Sequence, residues 1–244
     1  MLLPARFDDR PPAHGHDDRR GAGTTVRSLS RWAAGLFALG LVLLPLDLPV
    51  ARLVRAGILP GEVNRLLGIS EAFAHGWGVA AILLVAFALD PRLWHASAES
   101  RGERWRPSLA GIRLVAMAVV GSLFVNVIKL AARRVRPRVA DLDAASGVLA
   151  TFDAALLAVP DPGSADLLSF PSGHAAAAAG LAAALSCRYP RGTALFVLFA
   201  TLAALQRVGS AAHYPSDICC GAALGCLGAA VSLRLSGFVG RTGD

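Results

Sequence analysis

Apolar positions in this chain come in long runs with little polar interruption. The runs are Trp32 to Leu46, Phe73 to Leu89, Leu109 to Ile128, Ala175 to Cys187, Ala194 to Leu205 and Ile218 to Leu233. Most approach the ~17–25 residues that an α-helix needs to cross a bilayer, while the fourth and fifth are short. The pattern predicts an all-α integral membrane helical bundle of about six transmembrane helices, with five as the alternative count.

Composition supports the same setting. Of the 244 residues, 55% are hydrophobic and 17% charged, with a mean hydropathy of +0.53. A soluble bundle rich in Ala and Gly is the competing reading, and the uninterrupted runs argue against it. Small residues from Gly173 to Gly180 and from Gly221 to Ala230 suit helices that approach closely in lipid.

The net charge of +7 would invite a nucleic-acid partner in a soluble protein. Here the arginines fall between the spans, so no nucleic acid is expected. Arg6, Arg10, Arg19, Arg20, Arg27 and Arg31 precede the first run, and Arg92, Arg101, Arg104 and Arg106 follow the second. With Arg113, Arg188, Arg191, Arg234 and Arg241 these are fifteen of the 24 basic residues. The positive-inside rule then places the N-terminus, those connections and the C-terminus in the cytoplasm.

Residues 1–28, rich in Pro, Gly, Asp, Arg and His, read as a disordered cytoplasmic tail, in which His14 and His16 have no specific role. Residues 29–236 form the membrane domain and 237–244 a short cytoplasmic tail. The first run reads as a retained anchor, not a cleaved signal. Asp47 to Glu71, with Pro49, Pro60 and Gly61, reads as an amphipathic stretch at the outer interface. The longest connection, Arg138 to Phe170, contains an apolar piece from Gly147 to Val159 that is too short to span and would cap a site or rest on the membrane. Cys187, Cys219, Cys220 and Cys226 show no metal-ligand spacing and are expected to be buried and structural.

Three polar blocks interrupt this apolar background. Lys129-x6-Arg136-Pro137 puts two cations on nearly one face if the helix persists, with Pro137 marking its stop. The only lysine of the chain, Lys129, would be costly at mid-membrane, so it calls for an anionic partner. Pro171-Ser172-Gly173-His174 reads as a helix start with Ser172 as N-cap. Its free amides and the small Gly173 can receive an anion, and His174 can carry a proton beside it. Arg207-x5-His213-x3-Asp217 puts Pro215 at a first helical position, His213 just outside and Asp217 in the first turn. From there a carboxylate can hold one imidazole nitrogen and leave the other free to attack. With the N-terminus inside, all three blocks fall on the outer face, which three unrelated features would have no reason to do.

Together the blocks resemble the signature of the type 2 phosphatidic acid phosphatase superfamily, which also includes vanadium haloperoxidases. The resemblance spans motif segments from Lys129 to Asp217 and a compatible six-span, PAP2-like layout. One position departs from it: Gln206 stands where the family usually has serine before the arginine. The resemblance implies a phosphoric ester or anhydride hydrolase in which His213 attacks phosphorus, Asp217 orients it and His174 protonates the leaving group. Lys129, Arg136, Ser172, Gly173 and Arg207 would hold the phosphoryl oxygens, with no metal or other cofactor. Expected substrates are lipid phosphates or isoprenyl diphosphates: isoprenyl diphosphates, phosphatidate, phosphatidylglycerol phosphate or phosphorylated lipid A. A lipid phosphotransferase and a vanadate-dependent haloperoxidase are the alternatives. The Ala and Arg richness points to a GC-rich bacterium, and so to the cytoplasmic (inner) membrane with the active site facing outside.

Overall fold

A computed structural model of the chain describes residues 17–97, 104–153 and 164–239. Its helices are α1 (Asp17–Leu43), α2 (Asp47–Arg55), α3 (Gly61–Ser70), α4 (Gly76–Leu89), α5 (Leu109–Ala132), α6 (Gly173–Arg188), α7 (Thr193–Gly209) and α8 (Pro215–Val239). A two-stranded antiparallel ribbon, β1 (Trp94–Ser97) with β2 (Arg104–Pro107), lies between α4 and α5 and pairs Trp94 with Pro107.

The bundle has apolar residues on the outside and small ones within. Phe37, Val42, Leu84, Val127, Leu130, Leu195 and Leu198 are exposed, whereas Ala118, Ala176, Ala178, Ala184, Ala203 and Ala229 are buried. This distribution suits lipid, which leaves no reason to hide Leu and Val while close packing rewards Ala and Gly. At Gly121 a Cβ would meet the backbone of Gly225 at 2.6 Å, and at Gly180 it would meet the Met117 carbonyl at 2.9 Å. These glycines let α5, α6 and α8 touch backbone to backbone, with α6 at the centre of the core.

Among the described residues, four helical segments are long and apolar enough to cross a membrane: Gly23–Arg55, Leu109–Ala132, Pro190–Gly209 and Pro215–Ser236. A fifth arises if Gly61–Phe73 and Gly76–Leu89, bent by 58°, count as one. The remaining expected run is α6, whose 16 residues rise ~24 Å against a ~30 Å hydrocarbon core. It stays short because Ser172 caps its start and an ion pair holds its other end. Arg188 pairs with Asp90, and the Tyr189 hydroxyl donates to Asp90 at 3.1 Å.

Three expectations change here. The segment read as tail is helical from Asp17, continuous with the first span; residues 1–16 and 240–244, with His14 and His16, lie outside the described residues. Cys219, Cys220 and Cys226 are buried, but Cys187, in the last turn of α6, is exposed and lines a cavity. The helix carrying Lys129 does not persist to Pro137. It ends at Ala132, and Arg133 takes a left-handed conformation (φ 43°) that turns the chain sharply away.

After that turn the chain runs extended and is sewn into the long connection. Val135 donates to the Thr151 carbonyl (2.8 Å), Arg136 to Asp166 (2.8 Å) and Ser169 to Arg134 (2.9 Å). A second apolar cluster under α2, with Leu48, Ala51, Val135, Leu142, Leu167 and Tyr214, anchors this cap over one end of the bundle. Of the apolar piece expected to cap the site, Val148–Phe152 forms a 3-10 turn in this cluster's neighbourhood, and residues 154–163 lie outside the described residues.

Candidate active site

Each block meets its neighbours at the capped end. α6 begins at Gly173 because Ser172 caps it, its hydroxyl accepting from the Ala175 amide at 3.4 Å while its own O–H stays free to donate. The Ser172 amide donates to the Asp217 carbonyl (3.0 Å), which ties the second block to the third. Lys129 Nζ stands 3.7 Å from where a Cβ on Gly173 would sit, which ties the first block to the second. Arg136 reaches the same end from the extended segment, with Nε donating to the Ala165 carbonyl at 2.9 Å. Burial and repulsion from Arg138 and Arg207 lower its pKa. An arginine remains protonated regardless, so the shift marks a crowd of cations that an anion would relieve.

The third block starts where α7 ends. The amides of Ala212 and His213 both donate to the Arg207 carbonyl (3.1 Å), and Ala211 takes a left-handed turn (φ 51°). α8 then opens with Pro215 at its first position and Asp217 at its third, and Asp217 Oδ2 reaches back to the Tyr214 amide at 2.9 Å. This is the acidic half of a capping box.

His213 is 2% exposed, and its Nδ1 lies 2.7 Å from the Ser169 carbonyl oxygen but 3.7 Å from Asp217 Oδ2. The imidazole is therefore held by a backbone carbonyl, where a direct carboxylate contact was expected. Asp217 acts one step back: Oδ2 also accepts from Ser169 Oγ (2.6 Å), and Oδ1 accepts from Arg134 Nη1 (2.6 Å). The consequence for the ring is definite. A carbonyl can only accept, so Nδ1 carries the hydrogen and Nε2 carries the lone pair. Burial pushes the His213 pKa down to about 4, so the ring is neutral near pH 7.

Arg134 is a residue that the sequence reading did not single out. It is fully buried, with Nη2 on Asp47 (2.7 Å), Nη1 on Asp217 and Ser216 (2.6 and 2.9 Å) and Nε on Thr151 (2.9 Å). Its guanidinium lies 4.0 Å from the Tyr214 ring centroid and 4.9 Å from that of Phe152. Asp47 in turn accepts from the Ser216 amide (2.9 Å) and hydroxyl. Nothing in local sequence separates Arg134 from Arg133; only the turn at Arg133 points it inward.

Glu71 was also missed, as the end of an amphipathic stretch. Its Oε1 lies 2.8 Å from Arg207 Nη1 and 4.0 Å from His174 Nε2, and the His75 and His174 rings are 5.8 Å apart. Gln206 Oε1 accepts from the same Arg207 nitrogen at 3.2 Å, so this residue serves as an acceptor. Arg207 Nε and His174 Nε2 are both buried, and neither has a hydrogen-bond partner among the described residues. A neutral imidazole with a free Nε2 lone pair, a second imidazole and several cations near a helix N-terminus are groups that phosphoryl transfer can use.

Comparison with known proteins gives the same class. The sequence profile of the PAP2 superfamily matches residues 110–241. The chain belongs to that superfamily and is a multi-pass membrane lipid phosphatase. Among its relatives, a lipid A 1-phosphatase of Rhizobium etli (strain CFN 42) is 29% identical over 201 residues, covering 80% of this chain and 81% of that one. A lipid A 1-phosphatase of Rhizobium johnstonii (strain 3841) is 29% identical over 203 residues, covering 80% and 77%. The fold matches the crystal structure of a transmembrane PAP2 type phosphatidylglycerolphosphate phosphatase from Bacillus subtilis. The TM-score is 0.55 at 18% identity, covering 87% of this chain and 97% of that one.

Proposed function

We propose that the protein removes a phosphate from a membrane lipid by a metal-independent route through a phosphohistidine, at the outer face of the bacterial inner membrane. The observation that carries this is the Nδ1 contact of His213 with the Ser169 carbonyl, which leaves Nε2 as a neutral nucleophile. In the first step the Nε2–P bond forms as the bond from phosphorus to the lipid oxygen breaks, and protonated His174 gives its proton to that oxygen. In the second, His174 takes a proton from water, the new oxygen bonds to phosphorus and the N–P bond breaks, returning His213 with inorganic phosphate. Lys129, Arg136 and Arg207, with Ser172 and the Gly173 amide, hold the phosphoryl oxygens while charge builds on them.

An apolar groove supports a lipid substrate. A cavity of about 720 Å³ runs between α1, α6, α7 and α8, lined by Leu36, Ala175, Ala204, Leu205, Ile218 and Ala222 among others. Ala175 and Ile218 adjoin His174 and Asp217, so an acyl chain could lie there with its phosphate in the site. The arginine distribution supports the outward orientation. The named activity of both relatives makes the 1-phosphate of lipid A the first substrate to test.

The experiment compares phosphate release from lipid A, phosphatidate, phosphatidylglycerol phosphate and isoprenyl diphosphate by wild type and His213→Ala. Lipid A is expected to be the best substrate and the variant inactive on all four. Full activity in the variant would end the phosphohistidine mechanism, and label passing to another lipid instead of water would make the protein a phosphotransferase.

A further inference from the structure

We propose that Glu71 is a positioning residue that keeps a proton on His174 for the departing lipid oxygen; this rests on the mechanism proposed above. Glu71 comes from the bend between α3 and α4, far from all three motif blocks in sequence, yet its Oε1 lies between Arg207 Nη1 (2.8 Å) and His174 Nε2 (4.0 Å).

The reasoning begins with the charges around His174. Facing it are Arg207 from α7, His213 from the turn before α8, His75 from the bend before α4 and Lys129 from α5. Two of these are fixed cations that suit the phosphate but oppose a second positive charge on the acid. Burial and these charges favour the neutral ring at rest. The general acid must therefore take and hold its proton once the lipid phosphate offsets the cations, in a site built to be positive. Among the described residues, Glu71 is the carboxylate that comes within 4.0 Å of His174 Nε2. At that range a carboxylate favours the imidazolium over the neutral ring, and partial burial strengthens the effect.

The geometry also explains how one carboxylate serves both neighbours. Resting, it takes a hydrogen bond from Arg207 Nη1, while Arg207 Nε has no partner among the described residues. A phosphoryl group can bind the free edge of the guanidinium without removing Glu71. His174 Nε2, also unpartnered, is then flanked by the carboxylate on one side and the incoming ester on the other. The proton leaves Nε2 for the lipid oxygen as the P–O bond breaks, and the water of the second step restores it. Glu71 touches no reacting atom in this scheme.

The test is Glu71→Gln, which keeps size and hydrogen bonding but removes the charge. Rates are measured on a long-chain lipid phosphate, whose alkoxide leaving group needs a proton, and on p-nitrophenyl phosphate, whose phenolate leaves without one. The expected result is a loss of roughly 10- to 100-fold on the lipid, below the ~10²–10⁴ that general acid catalysis supplies in full because His174 remains. The aryl phosphate should lose less than ~3-fold, and the alkaline limb of the lipid kcat/KM profile should move to lower pH. Glu71→Asp should restore part of the lipid rate.

Equal losses on both substrates would mean that Glu71 only holds Arg207 in place. A faster variant with lower KM would mean that it competes with phosphate for Arg207. Either result, or no change at all, overturns the proposal. Wild type inactive on lipid and aryl phosphates alike would instead sink the phosphatase mechanism itself, and the two failures are separable.

Discussion

Replacing Arg134 with Met tests the buried charge cluster beneath His213. In the wild type the guanidinium joins Asp47 at 2.7 Å and Asp217 at 2.6 Å, all three side chains with no exposure to solvent. The thioether keeps most of the volume but leaves both carboxylates without their cation. Removing one partner of a buried ion pair costs about 3–5 kcal/mol, because an uncompensated charge remains inside. For a chain of this size that corresponds to a fall in Tm on the order of 10 °C. The effect on rate should exceed the effect on fold, since Arg134 fixes Asp217, Asp217 fixes Ser169 Oγ, and the Ser169 carbonyl fixes His213 Nδ1. The assay is thermal unfolding in detergent alongside kcat measured well below the new Tm. A double variant, Arg134→Met with Asp47→Leu, should recover part of the lost stability, because it removes one of the stranded charges. An unchanged Tm and kcat in Arg134→Met would refute the reasoning, and strict additivity in the double variant would refute the coupling.

Two further outcomes follow from the site. Because burial holds His213 down to about 4 while an unfolded histidine titrates near ~6.5, the unfolded chain binds the extra proton between those values. Stability from this group is therefore present above pH ~6.5 and lost as pH falls toward 4, and the acid limb of kcat/KM from His213 should lie near 4; a limb near 6.5 that follows His213 would contradict the buried neutral ring. Filling the groove by Ala204→Trp should raise KM about tenfold or more for a long-chain lipid phosphate and leave p-nitrophenyl phosphate unaffected, since the lost space is apolar and outside the phosphate cradle; equal KM for both substrates would remove the acyl chain from the groove.

How much of this was legible in the chain depends on the kind of information each residue carries. The membrane class follows from uninterrupted apolar runs, because burying a backbone in lipid demands long helices and little else. The N-cap at Ser172, the start of α8 at Pro215 and the first-turn place of Asp217 are local, set by backbone geometry within one turn, and the structure shows them where the sequence put them. The persistence of α5 to Pro137 was also a local inference, and it failed. Burying Arg134 between two carboxylates and pairing residues 135–136 with the cap favour an extended chain over another helical turn.

The sequence by itself determined the kind of solvent, the helical class and the chemistry available at three short blocks, since those depend on composition and on spacings of a few residues. Only the tertiary structure decided that a backbone carbonyl holds His213, that Arg134 and not Arg133 lies beneath it, and that Glu71 stands beside His174. The physical reason is distance along the chain. Ser169 and His213 are separated by 44 positions, Asp47 and Arg134 by 87, and Glu71 and Arg207 by 136. Contacts of that span are set by how α5, α6 and α8 close on their glycines, which no short stretch of sequence records.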